Sequence, residues 1–109
     1  MLPSNIKVWV ASQSVDMRKG FHTLAAMVQA DFKRDPLSGH LFVFFSQRRD
    51  KVKILYWDRN GFALWYKSLA KGRFRPPNVA GQGYNISISD LNLLLEGIDL
   101  THNQRLTAI

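Results

Sequence analysis

Nine of the fifteen Lys and Arg residues of the chain lie between positions 48 and 75: Arg48, Arg49, Lys51, Lys53, Arg59, Lys67, Lys71, Arg73 and Arg75. Only Asp50 and Asp58 oppose them there, so this one stretch carries a charge equal to the formal +7 of the whole chain. Tyr56, Trp57, Trp65 and Tyr66 are interleaved with the cations. Guanidinium and ammonium groups neutralise phosphates and release counterions, and flat rings stack on bases. The chemistry that these residue types offer is the binding of a polyanion with stackable bases.

Catalysis has less to work with. The eight carboxylates, Asp16, Asp31, Asp35, Asp50, Asp58, Asp90, Glu96 and Asp99, show no recognised metal spacing with a His or a second acid. His22, His40 and His102 fall on three unrelated elements and give no ligand spacing. No Gly-rich phosphate loop and no Gly-x-Ser-x-Gly elbow is present. There is no cysteine, which excludes disulfides, thiol catalysis and Cys-based zinc sites, and is compatible with a reducing, cytoplasmic compartment. No catalytic residue, metal ligand or cofactor is therefore assigned, and the chain is read as not an enzyme.

The elements must now position the cations. At 109 residues the expectation is one domain over 1–100, with 101–109 as a flexible tail. A pI near 10.2 points to nucleic acid first and an anionic membrane surface second. No stretch approaches the ~18 apolar residues of a membrane span, and no secretory signal is visible at the N-terminus.

Lys51–Asp58 and Phe62–Leu69 read as a β-hairpin around Arg59-Asn60-Gly61. A two-residue Asn60-Gly61 loop would pair Arg59 with Phe62, and a three-residue loop with Gly61 in a left-handed bulge would pair Asp58 with Phe62. The second is preferred because it sorts the side chains. Val52, Ile54, Tyr56, Phe62, Leu64 and Tyr66 become a buried face, and Lys53, Leu55, Trp57, Ala63, Trp65 and Lys67 the other. Lys53 then sits opposite Lys67, a like-charge conflict that an anionic ligand would relieve. The alternative is an ordinary amphipathic hairpin whose Trp57 and Trp65 pack under a loop or a second chain.

Elsewhere, Ile6–Ala11 reads as a strand. Met17, Phe21, Leu24, Ala25, Val28 and Phe32 recur at helical spacing, which predicts a helix over 15–33 with Ser14 as N-cap. Arg18 and Lys19 near its N-terminus and Gly20 in its interior conflict with that helix, and such conflicts mark functional or close-packing positions. His40–Phe45 is an apolar run of a central strand. Pro76-Pro77 ends any strand, 85–88 is a short extended piece, and a short helix capped by Ser89 ends near Gly97. The expected class is α+β: a mainly antiparallel sheet of four or five strands, one long helix packed on a face, and a short C-terminal helix.

Six blocks then stand in a telling order: Asp16-Met17-Arg18-Lys19-Gly20-Phe21; Asp35 to Phe44; Lys53 to Phe62; Trp65-Tyr66-Lys67; Lys71-Gly72-Arg73-Phe74; and Leu94 to Asp99. In order and spacing they resemble the TnpB accessory family of bacterial insertion sequence family 66, the second-reading-frame-like proteins, which are distinct from the RNA-guided nuclease sharing the TnpB name. The resemblance covers residues 6–100. It implies a small non-catalytic protein encoded beside a separate DDE-type transposase and needed for efficient transposition. The family-type basic positions are then Arg18, Lys19, Arg48, Arg49, Lys53, Lys67, Lys71 and Arg73. Phe45 and Gln47 depart from more basic relatives.

Charge and resemblance together give two functional expectations. The first is a DNA-binding accessory protein of transposition, contacting phosphates of transposon ends or target through Arg18, Lys19, Arg48, Arg49, Lys51, Lys53, Lys67, Lys71, Arg73 and Arg75, with Trp57 and Trp65 available to stack. The second is a protein–protein adaptor that docks on the separately encoded transposase without touching DNA, with Trp57 and Trp65 as anchors. A nuclease is a remote third. Homo-oligomers are compatible with either, and no membrane partner is expected.

Overall fold

Leu41–Phe45 is buried at all five positions, and an apolar run with two faces to bury belongs in the middle of a sheet. The computed structural model describes residues 5–101 and puts it there. The strands are β1 (Val8–Ala11), β2 (Leu41–Phe45), β3 (Lys51–Asp58), β4 (Gly61–Ser68) and β5 (Gly83–Ile86), ordered β4-β3-β2-β1-β5. Strand β1 runs parallel to β2, while β1–β5, β2–β3 and β3–β4 are antiparallel. The sheet is thus mixed, a correction to the mainly antiparallel expectation that comes from this one pair. A parallel pair requires a crossover. Here it is the helix α1 (Phe21–Met27), which continues as a π-helical segment, Val28–Phe32. A second helix, α2 (Ile88–Leu95), follows β5. The fold is α+β, and among the described residues no helix is long and apolar enough to cross a membrane.

Both sheet faces are covered. Trp9, Phe42, Phe44 and Leu55 pack under Val15, Leu24, Val28 and Phe32 on the α1 side. Val10, Val43, Phe45, Val52, Ile54 and Tyr84 pack under Phe74, Leu91 and Leu94 on the α2 side.

The long helix predicted over 15–33 is shorter than expected. It starts at Phe21, after an extended Gly20 (φ −91, ψ −173). Residues 12–20 form a loop instead. The N–H of Val15 donates to the Phe45 carbonyl at 2.9 Å, the Asp16 carboxylate accepts the Arg18 N–H at 2.8 Å, and the Asp16 carbonyl accepts the Lys19 N–H at 3.1 Å. A local Asx turn outcompeted the helix, which is what a short acceptor side chain does near an N-terminus. Gly20 is therefore at the helix boundary, and Arg18 and Lys19 precede the helix altogether. Similarly, Ser87 rather than Ser89 caps α2, its Oγ accepting the Asp90 N–H at 2.9 Å. That helix ends near Gly97, as expected. With φ at 91, Gly97 lets the Ile98 N–H reach the Leu93 carbonyl and its own N–H reach Leu94, both at 3.0 Å.

The hairpin forms, but in neither expected register. Asp58 pairs with Gly61 and Trp57 with Phe62, so the turn is Arg59-Asn60, with Arg59 left-handed at φ 55. Lys53 faces Tyr66, Ile54 faces Trp65, and Val52 faces Lys67. Directly paired residues share a face, so Trp57 and Trp65 are on opposite faces of the sheet, and so are Lys53 and Lys67. Tyr56 likewise lies on the opposite face from Leu64 and Tyr66. The expected register was chosen to give β3 one apolar face. Strand β3 is buried on both, under α1 and under α2, so that criterion did not apply.

Candidate nucleic-acid interface

The topology gathers the cations. Strands β1, β2 and β4 finish at one end of the sheet, and β3 and β5 begin there. The segments 12–20, 46–50 and 69–82 therefore emerge together. They carry Arg18, Lys19, Arg48, Arg49, Lys71, Arg73 and Arg75, with Lys51 opening β3 beside them.

The 46–50 turn is tightly built. Ser46 and Lys51 pair through the Ser46 N–H and the Lys51 carbonyl at 3.0 Å, and the Lys51 N–H donates to Ser46 Oγ at 3.1 Å. The Ser46 hydroxyl in turn donates to Asp50 at 3.2 Å. At the tip the Arg49 backbone is left-handed, at φ 58. Its guanidinium carbon lies 5.9 Å from the Phe45 ring centroid, within cation–π range. The turn is pinned to the following excursion twice: the Phe74 N–H donates to the Arg49 carbonyl at 2.6 Å and the Leu69 N–H to the Asp50 carbonyl at 2.8 Å. This is why residues 24 positions apart in sequence, Arg49 and Arg73, come together.

Two recesses flank the turn. The larger, about 450 Å³, lies between the turn and the 14–17 loop and holds Arg48 and Lys51, together with Asp16 and Asp50. The smaller, about 270 Å³, is walled by Arg49, Arg73, Arg75, Asn78 and Thr101 beside Pro76-Pro77. The carboxylates of the larger recess are already engaged. Asp16 holds the Arg18 guanidinium at 2.6 Å, and that hydrogen bond keeps its carboxyl well below the usual range. Asp50 lies 3.4 Å from the Lys51 ammonium. Burial raises its pKa, but hydrogen bonds from Ser46 and Lys51 together with the Lys51 charge leave the carboxyl lowered.

Other candidates are elsewhere. Lys53 is only 8% exposed; its ammonium donates to the carbonyls of Met17 at 2.5 Å and Lys19 at 2.9 Å, and sits 5.1 Å from the Tyr66 ring centroid. Lys67 donates to the Leu95 carbonyl at 3.1 Å, at the negative end of α2. Both lysines close backbone acceptors, on opposite faces. Trp57 is half-buried and meets Phe62 edge-on at 5.1 Å, near the far end of the hairpin from the 46–50 turn. Trp65 is 42% exposed and Tyr66 50%. The cations and aromatics that are interleaved in sequence are thus largely separated in space. Sequence reasoning missed Asn78, Thr101 and the organising role of Ser46; the Ser46-x-x-x-Asp50 spacing was the available signal for the last.

Among the described residues no group of three His, Cys, Asp or Glu side chains is placed to hold a metal. His22 packs on Phe21 at 4.4 Å, His40 Nδ1 accepts the Lys7 N–H at 3.0 Å, and His102 lies outside the described residues, as does the predicted tail from 102 on.

Comparison with known proteins places the chain in a family. A family model described as IS66 Orf2 like protein matches residues 6–105. The chain is 43% identical over 106 residues to the uncharacterized protein y4hO of Sinorhizobium fredii (strain NBRC 101917 / NGR234), covering 95% of this chain and 92% of that one. It is 36% identical over 100 residues to the uncharacterized protein y4jC of the same strain, covering 92% of this chain and 86% of that one. No solved structure matches it. The chain therefore belongs to the IS66 Orf2-like family, the TnpB accessory proteins associated with transposition of that insertion-sequence group.

Proposed function

We propose that the protein is a DNA-binding accessory factor of transposition that grips the phosphate backbone with the basic end of its sheet and performs no chemistry of its own. The observation that carries this reading is the convergence of Lys19, Arg48, Arg49, Lys71, Arg73 and Arg75 at one sheet end, where Arg18 and Lys51 hold Asp16 and Asp50. Phosphate contacts of this kind give affinity and orientation with little sequence readout. Transposon ends and target are the DNA that such a factor would meet. Lys53 and Lys67 have no part in the grip, since backbone carbonyls take their ammonium groups.

The test is a salt series of duplex binding. Replacing Arg48 by Ala and Arg49 by Asn, a residue that tolerates the left-handed backbone, is expected to lower affinity for all duplexes alike. The slope of log affinity against log salt should fall by about 1.8, at ~0.9 per phosphate. An unchanged slope in the folded variant would sink the reading.

The adaptor reading has one specific observation in its favour. Strand β4 is an outer edge of the sheet, eight residues long, with Trp65 and Tyr66 exposed. An uncovered edge with aromatic side chains suits pairing with the cognate transposase or with a second copy. Capture of the transposase that survives high salt and is lost on Trp65→Ala would favour it.

A further inference from the structure

We infer that the recess between Arg49, Arg73 and Arg75 is a seat for a single phosphate group, the fixed point of the basic sheet end. The inference rests on the DNA-binding reading and gives it a location. Three features distinguish this recess from the rest of the basic surface.

The first is charge. Among the described residues its wall contains three arginines and no carboxylate, whereas the larger recess across the turn contains Asp16 and Asp50. Arginine presents a planar fork of donors that matches phosphate oxygens two at a time. The acidic side chains nearest the wall in sequence, Asp50 and Asp99, are outside it: Asp50 lines the larger recess, and Asp99 takes the Thr101 hydroxyl at 2.6 Å.

The second is that two of the acceptors which would repel an anion are consumed. The Arg49 carbonyl is taken by the Phe74 N–H at 2.6 Å, and the Arg75 carbonyl by the Leu100 N–H at 2.9 Å. The Asn78 amide remains available as a further donor.

The third is rigidity. Phe74 between the two arginines is 1% exposed and packs on Phe45 at 5.6 Å, while Pro76 and Pro77 are buried with fixed φ. Arg49 lies within cation–π range of Phe45. The backbone that carries the arginines is thus fixed before anything binds, which limits the ordering cost to the exposed Arg73 and Arg75 side chains. At about 270 Å³ the recess is small for a cofactor and suits one phosphate with part of its sugar.

The phosphate could be an internal phosphodiester or a terminal monoester, and the experiment separates them. Backbone resonances of the full chain would be followed during titration with inorganic phosphate. Saturable shifts at Arg49, Phe74, Arg75, Asn78 and Thr101, without matching shifts at Ser14–Met17, are expected. The double variant Arg73→Gln, Arg75→Gln changes two exposed side chains and should weaken these shifts at least tenfold. Shifts that are absent, or equal at both recesses, would overturn the seat. Duplexes with 5′-phosphate and 5′-hydroxyl ends would then be compared at one salt concentration. Tighter binding of the phosphorylated end, lost in the double variant, assigns a terminal phosphate. Equal binding of both ends, weakened equally by the variant, assigns an internal one. A double variant that binds DNA like the parent, with the same salt slope, rejects the seat and leaves the DNA-binding reading standing. Phosphate shifts at the recess with no DNA binding by the parent chain reject the DNA-binding reading instead.

Discussion

The ammonium of Lys53 donates to the carbonyl of Lys19 at 2.9 Å, across 34 positions of sequence and from the interior of the sheet to the loop before α1. A second bond to Met17 completes the clamp. The loop with the sequence Asp16-Met17-Arg18-Lys19-Gly20 is thereby fastened from below by a cation, while its own cations face outward or sideways.

Lys53→Ala is therefore expected to act on stability and not on phosphate binding. It leaves two carbonyls without their donor, at a cost of about 2–4 kcal/mol. Denaturant unfolding measures the loss. The salt slope of DNA binding, taken where the variant is folded, should stay at the parent value.

The two tryptophans of the hairpin should separate in the same assay. Trp57 is half-buried and edge-on to Phe62, and Trp65 is 42% exposed. Trp57→Ala should cost about 1 kcal/mol more than Trp65→Ala, the worth of an aromatic pair beyond area. Equal costs would mean that the edge-on pair adds nothing.

Asp16 restrains Arg18, whose side chain is otherwise 91% exposed. Asp16→Asn keeps an acceptor for the Arg18 N–H but removes the charge. Freed Arg18 should add about one phosphate contact and steepen the salt slope by about 0.9. Fluorescence anisotropy over a range of salt concentrations reads this directly. A shallower slope would show that Arg18 works only when Asp16 holds it in place.

Tyr84 gives a pH dependence. Burial pushes its hydroxyl above the usual tyrosine range, and the Arg49 charge opposes this in part. A folded-state pKa raised above the unfolded value contributes stability that is full below about pH 10 and declines as pH rises beyond it. Unfolding free energy should therefore fall with pH above that point, with a contribution of up to about 1.4 kcal/mol per unit from this residue. Tyr84→Phe should remove that part of the slope and leave the neutral-pH fold intact.

What could be read in sequence was set by how local the physics is. The apolar run of β2, the existence of the hairpin and the Gly97 stop of α2 depend on neighbours in the chain, and each stands where it was expected. The helix boundary failed because Asp16 can close a turn on Arg18 and Lys19 that periodicity does not register. The register failed because β3 is buried on both faces, and a sequence does not say how many layers will cover a strand. The site followed the same division. The charge of 48–75 was plain, but its assembly with Arg18 and Lys19 depends on a parallel β1–β2 pair. The withdrawal of Lys53 and Lys67 depends on carbonyls 34 and 28 positions away.

The Arg59-Asn60 turn is exposed, and by ordinary expectation a surface loop tolerates changes in length. This one should not. One added residue would shift the pairing of β3 with β4 by a single step and send every β4 side chain to the other face. Lys67 would leave the end of α2 for the side covered by α1, and Phe62 and Leu64 would trade places with Ala63 and Trp65. Insertions and deletions should therefore be rarer at 59–60 than in the equally exposed 80–82 stretch.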